Sequence, residues 1–284
     1  MSPWIRGVAA SATGAVRNDN EDAAFLAVAG EMALAVVADG TGGRSSGRAA
    51  ADRTIASARA TFARRFLLLA EAWWHGEHDA PLPTGEHART SAHVRHLLAT
   101  RHAETPGDVA VLERGLGELV RRAMIDANRA VHEQATRDPH HRGHGASVVI
   151  AMFAPGGCAI AHVGDARAYR LRAGALTQLT EDHSLLNAIL KERTMTEDEL
   201  ARFEHRNVIV RAVGTSASVE VDVDLHAVTP SDTLLVCSDG LYETLGEERL
   251  REVLGLHGAE AATRLVDEAK RTSRDNVTAI TVAC

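Results

Sequence analysis

Apolar residues fall into short runs along this 284-residue chain, and most of those runs stop at a glycine or an aspartate. Met32 to Ala38 reads MALAVVA and ends at Asp39-Gly40. Ser147 to Phe153 reads SVVIAMF, turns at Pro155-Gly156-Gly157 and returns as CAIAHV over Cys158 to Val163, a hairpin pattern. Ala168 to Leu171 and Leu176 to Leu179 flank Arg172-Ala173-Gly174 as a second hairpin. Ala23 to Val28, Thr233 to Cys237 and Val277 to Val282 are the remaining predicted strands. Helical patterns lie between them. Ser46 to about Trp74 is rich in Ala, Arg and Leu and lacks a breaker after Gly47. Leu112 to about Thr136 sets Leu116, Leu119, Val120, Ala123 and Ala127 at helical spacing. Thr196-Glu197-Asp198-Glu199 is a capping box, and Glu247–Leu254 and Ala259–Lys270 read as later helices. Consecutive hairpins point to antiparallel sheet rather than a βαβ repeat. No linker and no internal repeat stand out, so residues 1–284 read as one domain.

The stretch from about 75 to 107 departs from this pattern. It holds His75, His78, His87, His93, His96 and His102 among prolines, and reads as an exposed insertion between the two long helices. His93 and His96 could share a metal if helical, although a solvated loop fits the composition better. We expect this insertion to serve partner docking or substrate choice.

Composition narrows the class. Hydrophobic residues at 45% and charged residues at 24% are those of a chain with a buried core. The formal charge of −7 disfavours nucleic acid as the main partner. Phe66 to Trp74 is interrupted by Glu71 and falls far short of the roughly 20 residues of a membrane span. Cys158, Cys237 and Cys284 are far apart and form no C-x-x-C pair, which suggests a reducing compartment, taken as the cytoplasm, and no zinc cluster. A monomer is the default.

The chemistry gathers at strand ends. Asp39-Gly40, Asp239-Gly240 and Gly164-Asp165 each follow an apolar strand, Asp275 precedes the last one, and Glu21 and Asp22 precede the first. One aspartate after a strand is an ordinary turn residue. Several delivered to a common sheet edge would repel one another unless a cation neutralised them. Hard divalent ions, Mn2+ or Mg2+, suit such oxygens, and a glycine beside a ligand lets a carbonyl or water approach closely. The expectation is a carboxylate-rich, binuclear metal site. The run Asp39 to Gly47 is Gly-rich but matches neither nucleotide-binding glycine motif. Arg17, four residues before Glu21, is either an ordinary surface arginine or a phosphate-binding guanidinium.

Arg17-Asn18-Asp19-Asn20-Glu21-Asp22, Asp39-Gly40-Thr41-Gly42-Gly43, Gly164-Asp165-Ala166-Arg167, Thr180-Glu181-Asp182-His183-Ser184, Cys237-Ser238-Asp239-Gly240-Leu241 and Asp275-Asn276-Val277-Thr278 occur in that order. Together they resemble the metal-dependent protein phosphatases, the type 2C serine/threonine phosphatases, in their bacterial form. The resemblance implies an α+β fold, a four-layer α-β-β-α sandwich of two antiparallel sheets. It implies that Asp39 bridges two ions, that the Gly40 carbonyl binds one and that Asp239 and Asp275 bind the other. Glu21 and Asp22 would hold metal-bound waters, Arg17 would grip the phosphate, and Asp165 and Glu243 would serve a third ion. A water bridging the ions, acidified to hydroxide, would attack phosphorus. The segment at about 182–213 corresponds to the flap beside the active site. The implied partners are phosphorylated proteins, Ser/Thr kinases or their substrates. The chain departs from the pattern at Thr41 and Arg44, where relatives often carry histidine, at Ala166 in place of serine, and at Glu243 in place of aspartate. The rival readings are a regulatory pseudophosphatase and a small-phosphoester hydrolase. His162 reads as a structural strand residue and His183 as an organiser of the turn into the flap. Cys237 reads as core.

Overall fold

The apolar runs are unbroken because most of the central strands are buried on both faces. The computed structural model describes residues 5–29, 32–42, 46–74, 106–141, 143–154, 157–205 and 208–284. Its strands are β1 (Arg6–Ala12), β2 (Ala23–Ala29), β3 (Met32–Thr41), β4 (Gly145–Ala154), β5 (Gly157–Val163), β6 (Arg167–Arg172), β7 (Ala175–Gln178), β8 (Asp222–Ala227), β9 (Thr233–Cys237) and β10 (Val277–Ala283). They form two five-stranded antiparallel sheets, ordered β1-β10-β9-β6-β7 and β2-β3-β4-β5-β8. Alternate residues of β3 show how the layers meet. Val36 and Ala38 face α1 (Ser46–Trp74) and α2 (Pro106–Arg137), whereas Ala35 and Val37 face the other sheet and pack with Val149, Leu234, Val236 and Ile280. On the far side, Leu235, Cys237 and Ala279 pack against α5 (Asp239–His257) and α6 (Ala261–Ala269). The expected four-layer sandwich is therefore present. Between the sheets' edge strands lie α3 (Leu185–Glu192) and α4 (Glu197–Arg202), the latter closed by the predicted Thr196–Glu199 capping box.

Several boundaries moved, each for a local reason. α2 begins at Pro106 rather than Leu112, because proline suits the first helical turn, where its missing N–H costs no bond. A helix starts at Asp239, not Glu247. It kinks at Gly246 (φ 71°), and the expected start at Glu247 lies directly after that kink. β1 and β8 lie at sheet edges and carry weak strand signals. β1 is mostly Ala, Gly and Ser, and its seven residues are fixed by pairing with β10 from Arg6↔Ala283 to Ala12↔Val277. Of the His-rich insertion expected at about 75–107, residues 75–105, with His93 and His96, lie outside the described residues, as does Arg44, and 106–107 open α2. Among the described residues, no helix is long and apolar enough to cross a membrane. The three cysteines are free, and burial pushes the Cys237 thiol upward.

Candidate metal centre

Both sheets contribute carboxylates to one region. β3 delivers Asp39 opposite Ser147 of β4. β9 ends at Cys237, so Asp239 enters the first turn of α5, and Asp275 stands just before β10. Glu21 and Asp22 precede β2, and Asp165 sits in the turn between β5 and β6. Their proximity shows in their mutual repulsion. Burial first, then Asp22, Asp239, Asp165 and Asp275, hold the Asp39 carboxyl well above the usual carboxylate range. Burial and then Asp165, Asp275 and Glu243 push Asp239 up to about 8. Asp22 is pushed up to about 6 by burial, although bonds from Ser238 and Thr278 oppose the rise. Asp165 and Glu243 are raised as well, burial again leading. Every carboxylate expected from the sequence is thus brought to this region.

Backbone geometry enforces the crowding. A Cβ on Gly40 would lie 2.1 Å from the Gly47 carbonyl oxygen and 2.7 Å from that of Glu21, so only glycine fits between the start of α1 and the β2 entry. The Glu21 N–H donates to Asn276 Oδ1 at 2.8 Å, and Asn276 Nδ2 donates to the Thr13 and Asp19 carbonyls. Ser238 Oγ donates to Asp22 Oδ2 at 2.7 Å. Arg48 donates to the Asn20 and Asp22 carbonyls. Asn276, Ser238 and Arg48 were not singled out from the sequence. Asn276 and Ser238 stood inside the quoted motifs, and their place beside ligand-type aspartates was the available signal.

The donor set fits hard divalent cations. All candidate donors are oxygens, and the buried Glu21 Oε1 and Asp165 Oδ1 accept no hydrogen bond. Asp39, Asp239 and Asp275, with the Gly40 carbonyl, could hold such ions; Glu21, Asp22, Asp165 and Glu243 surround them. Arg17 lies at the rim and donates to Asp275 Oδ2 at 2.6 Å, with its side chain 47% exposed. The guanidinium therefore faces both the carboxylates and solvent. The segment 182–213 leaves beside Asp165, carries α3 and α4, and returns through Val213, which bridges back to Ala146 next to Ser147. A groove of about 540 Å³ between α1 and α2, lined by Asp52, Arg53 and Arg137, shares no residue with the carboxylate region.

Known proteins share this chain's sequence pattern and fold. Residues 6–274 match the family model described as Protein phosphatase 2C. A serine/threonine phosphatase, stp, of Listeria monocytogenes is 29% identical over 242 residues, covering 85% of this chain and 79% of its own. The solved structure of the Mycobacterium tuberculosis serine/threonine phosphatase PstP/Ppp superposes with a TM-score of 0.71 at 27% identity, covering 98% of both chains. A second structure, the PstP catalytic domain in complex with 2 manganese ions, has a TM-score of 0.67 at 27% identity and covers 98% of this chain and 97% of its own.

Proposed function

The chain belongs to the protein phosphatase 2C family, and on that premise we propose that it hydrolyses phosphoserine and phosphothreonine in proteins. The observation that carries the reading is the gathering of buried aspartates from both sheets, Asp39 at the end of β3 and Asp239 just after β9, where burial and then one another's charge disfavour ionisation without a cation. Asp39, the Gly40 carbonyl, Asp239 and Asp275 are proposed to hold two divalent ions, Mn2+ or Mg2+. Glu21 and Asp22 would orient waters around them, and Asp165 and Glu243 would attend a third. Divalent ions bound there supply Lewis-acid chemistry: they acidify water and offset charge on phosphoryl oxygens.

The chain's own residues then have separable tasks. Arg17 binds the phosphate from the rim, and its bond to Asp275 orients the planar guanidinium so that its other N–H groups can meet phosphoryl oxygens. Ser238 offsets part of the burial that disfavours the Asp22 carboxylate by donating to it. No cysteine takes part, since Cys237 is a buried thiol within β9. Residues 182–213 form the flap beside the site and face the protein substrate. Phosphate release from a phosphothreonine peptide, titrated with Mn2+ and Mg2+, tests the proposal. Turnover that needs the metal, and that vanishes in Asp239→Asn, is the expected result. Folded protein with no turnover at millimolar metal would overturn it. Faster hydrolysis of a small phosphomonoester than of any phosphopeptide would redirect it to a small-molecule substrate.

A further inference from the structure

The turn bearing Asp165 is held by residues from other elements. Ser147 Oγ accepts the Asp165 and Ala166 N–H groups at 2.7 and 2.6 Å, and the Tyr242 hydroxyl donates to the Asp165 carbonyl at 3.1 Å. Gly164 is gripped twice by His183. The Gly164 N–H donates to His183 Nδ1 at 3.0 Å, and the Gly164 carbonyl accepts the His183 N–H at 2.8 Å. Because Nδ1 accepts, the neutral ring carries its proton on Nε2. That proton faces Asp222 Oδ2 at 3.2 Å. Arg211 Nη1 lies 3.1 Å from the same nitrogen and donates to the other Asp222 oxygen at 2.7 Å. His183 opens the flap, Arg211 closes it, and both meet on Asp222 at the head of β8.

His162, His183 and Asp222 place ligand-type atoms within 4.8 Å of one another, and His162 Nδ1 is buried without a partner. The geometry nevertheless speaks against a metal there. Both His183 nitrogens are engaged. The two rings stack at 4.8 Å and 20°, so their in-plane lone pairs do not converge. A guanidinium already neutralises Asp222.

We propose that His183 is a positioning residue that carries the placement of the flap, through Gly164, to the Asp165 carboxylate. This rests on the reading of Asp165 as a cation-holding group. The coupling is stiff because Gly164 has φ +103° and a Cβ there would lie 2.3 Å from Ser147 Oγ. Moving the flap ends therefore moves the turn.

Two substitutions separate the two ends of the ring. Asparagine keeps an acceptor near the Nδ1 position, whereas glutamine reaches toward Asp222 and loses the Gly164 bond. Hydrogen exchange of the Gly164 amide, calorimetric titration of Mn2+, and steady-state kinetics are measured on both. His183→Asn is expected to retain amide protection and Mn2+ affinity. His183→Gln is expected to exchange about tenfold faster, to bind its weakest Mn2+ about tenfold less tightly and to lose about tenfold in kcat, with KM nearly unchanged, as for one lost hydrogen bond. Asp222→Asn, which leaves His183 in place, is expected to shift the same readouts in the same direction by less. Equal losses in the Asn and Gln variants, or wild-type behaviour of His183→Gln, would overturn the proposal, as would an unchanged Gly164 amide in Asp222→Asn. Exchange and calorimetry do not depend on turnover, so a chain without phosphatase activity would sink the functional reading and leave this test intact.

Discussion

Asp182 and Asp232 each receive two hydrogen bonds from one guanidinium, whereas the charges around the buried Asp39 and Asp239 are chiefly those of other carboxylates. Arg167 reaches Asp182 at 2.8 and 2.6 Å and lies 3.7 Å over the Tyr242 ring. Arg172 reaches the fully buried Asp232 side chain at 2.7 and 2.6 Å. At Asp232 the burial raises and the bonds from Arg172 and Thr229 lower, and the carboxyl is held below its ordinary range. In the strand-end cluster burial and like charge act together, and the carboxyls rise. The same chain thus holds buried aspartates in two opposite electrostatic states. Where it places no arginine, it instead packs Gly40 against Gly47 and Glu21 and so keeps the acids close. That arrangement costs stability that a bound cation would offset.

Replacing an aspartate by asparagine tests the contrast at both places. Asp39→Asn is expected to lower Mn2+-dependent phosphate release by about a thousandfold or more, the scale of losing a principal electrostatic stabiliser. The metal-free form of that variant is expected to melt higher than wild type, because one member of a repelling set has been neutralised. Asp232→Asn is expected to destabilise by about 1 kcal/mol in urea titrations and to spare turnover, since the buried side chain loses charge-assisted bonds while the part-exposed Arg172 turns to water. An Asp39→Asn protein that melts lower than wild type would break the comparison. Arg17→Ala is expected to cost about 10- to 100-fold in kcat/KM with phosphopeptide, and Arg17→Lys less, because lysine keeps the charge and loses the fork.

The smallest effect is one of pH. The folded-state pKa values of Asp22 and Asp239 stand at about 6 and about 8, above the 3.8 of an unperturbed aspartate. Between those values the folded state binds more protons than the unfolded one, so stability falls as pH rises. In chelator, the melting temperature is expected to drop by several degrees from pH 5.5 to pH 8.5. Saturating Mn2+ should flatten or reverse that slope.

Much of this was legible in the residues. Thr233–Cys237 has the limits that its pattern predicts, because it is buried throughout and ends at Ser238-Asp239-Gly240, and Ser46–Trp74 is helical as its composition predicts. The strand-end aspartates were legible because each is locally conspicuous beside a glycine. The start of α5 was not, since Gly240 and Gly246 depress helix propensity and only the burial of Leu241 and the packing against β9 hold it. The Arg167–Asp182 and His183–Asp222–Arg211 contacts were equally hidden. They depend on how the flap returns to the sheet, and no periodicity encodes that.

The pairing of β1 with β10 has a kinetic consequence. The carboxylates come from residues 21–39 and 165–275, and Asp239 and Asp275 are in place only when β9 and β10 have joined the sheet begun by β1. Such closure links distant parts of the chain and is the slow part of folding. A chain that has assembled only α1, α2 and β2 to β5 still lacks Asp239 and Asp275. Cations held by the proposed site would clamp only what has already closed, and are expected to slow unfolding and leave the rate of folding almost untouched.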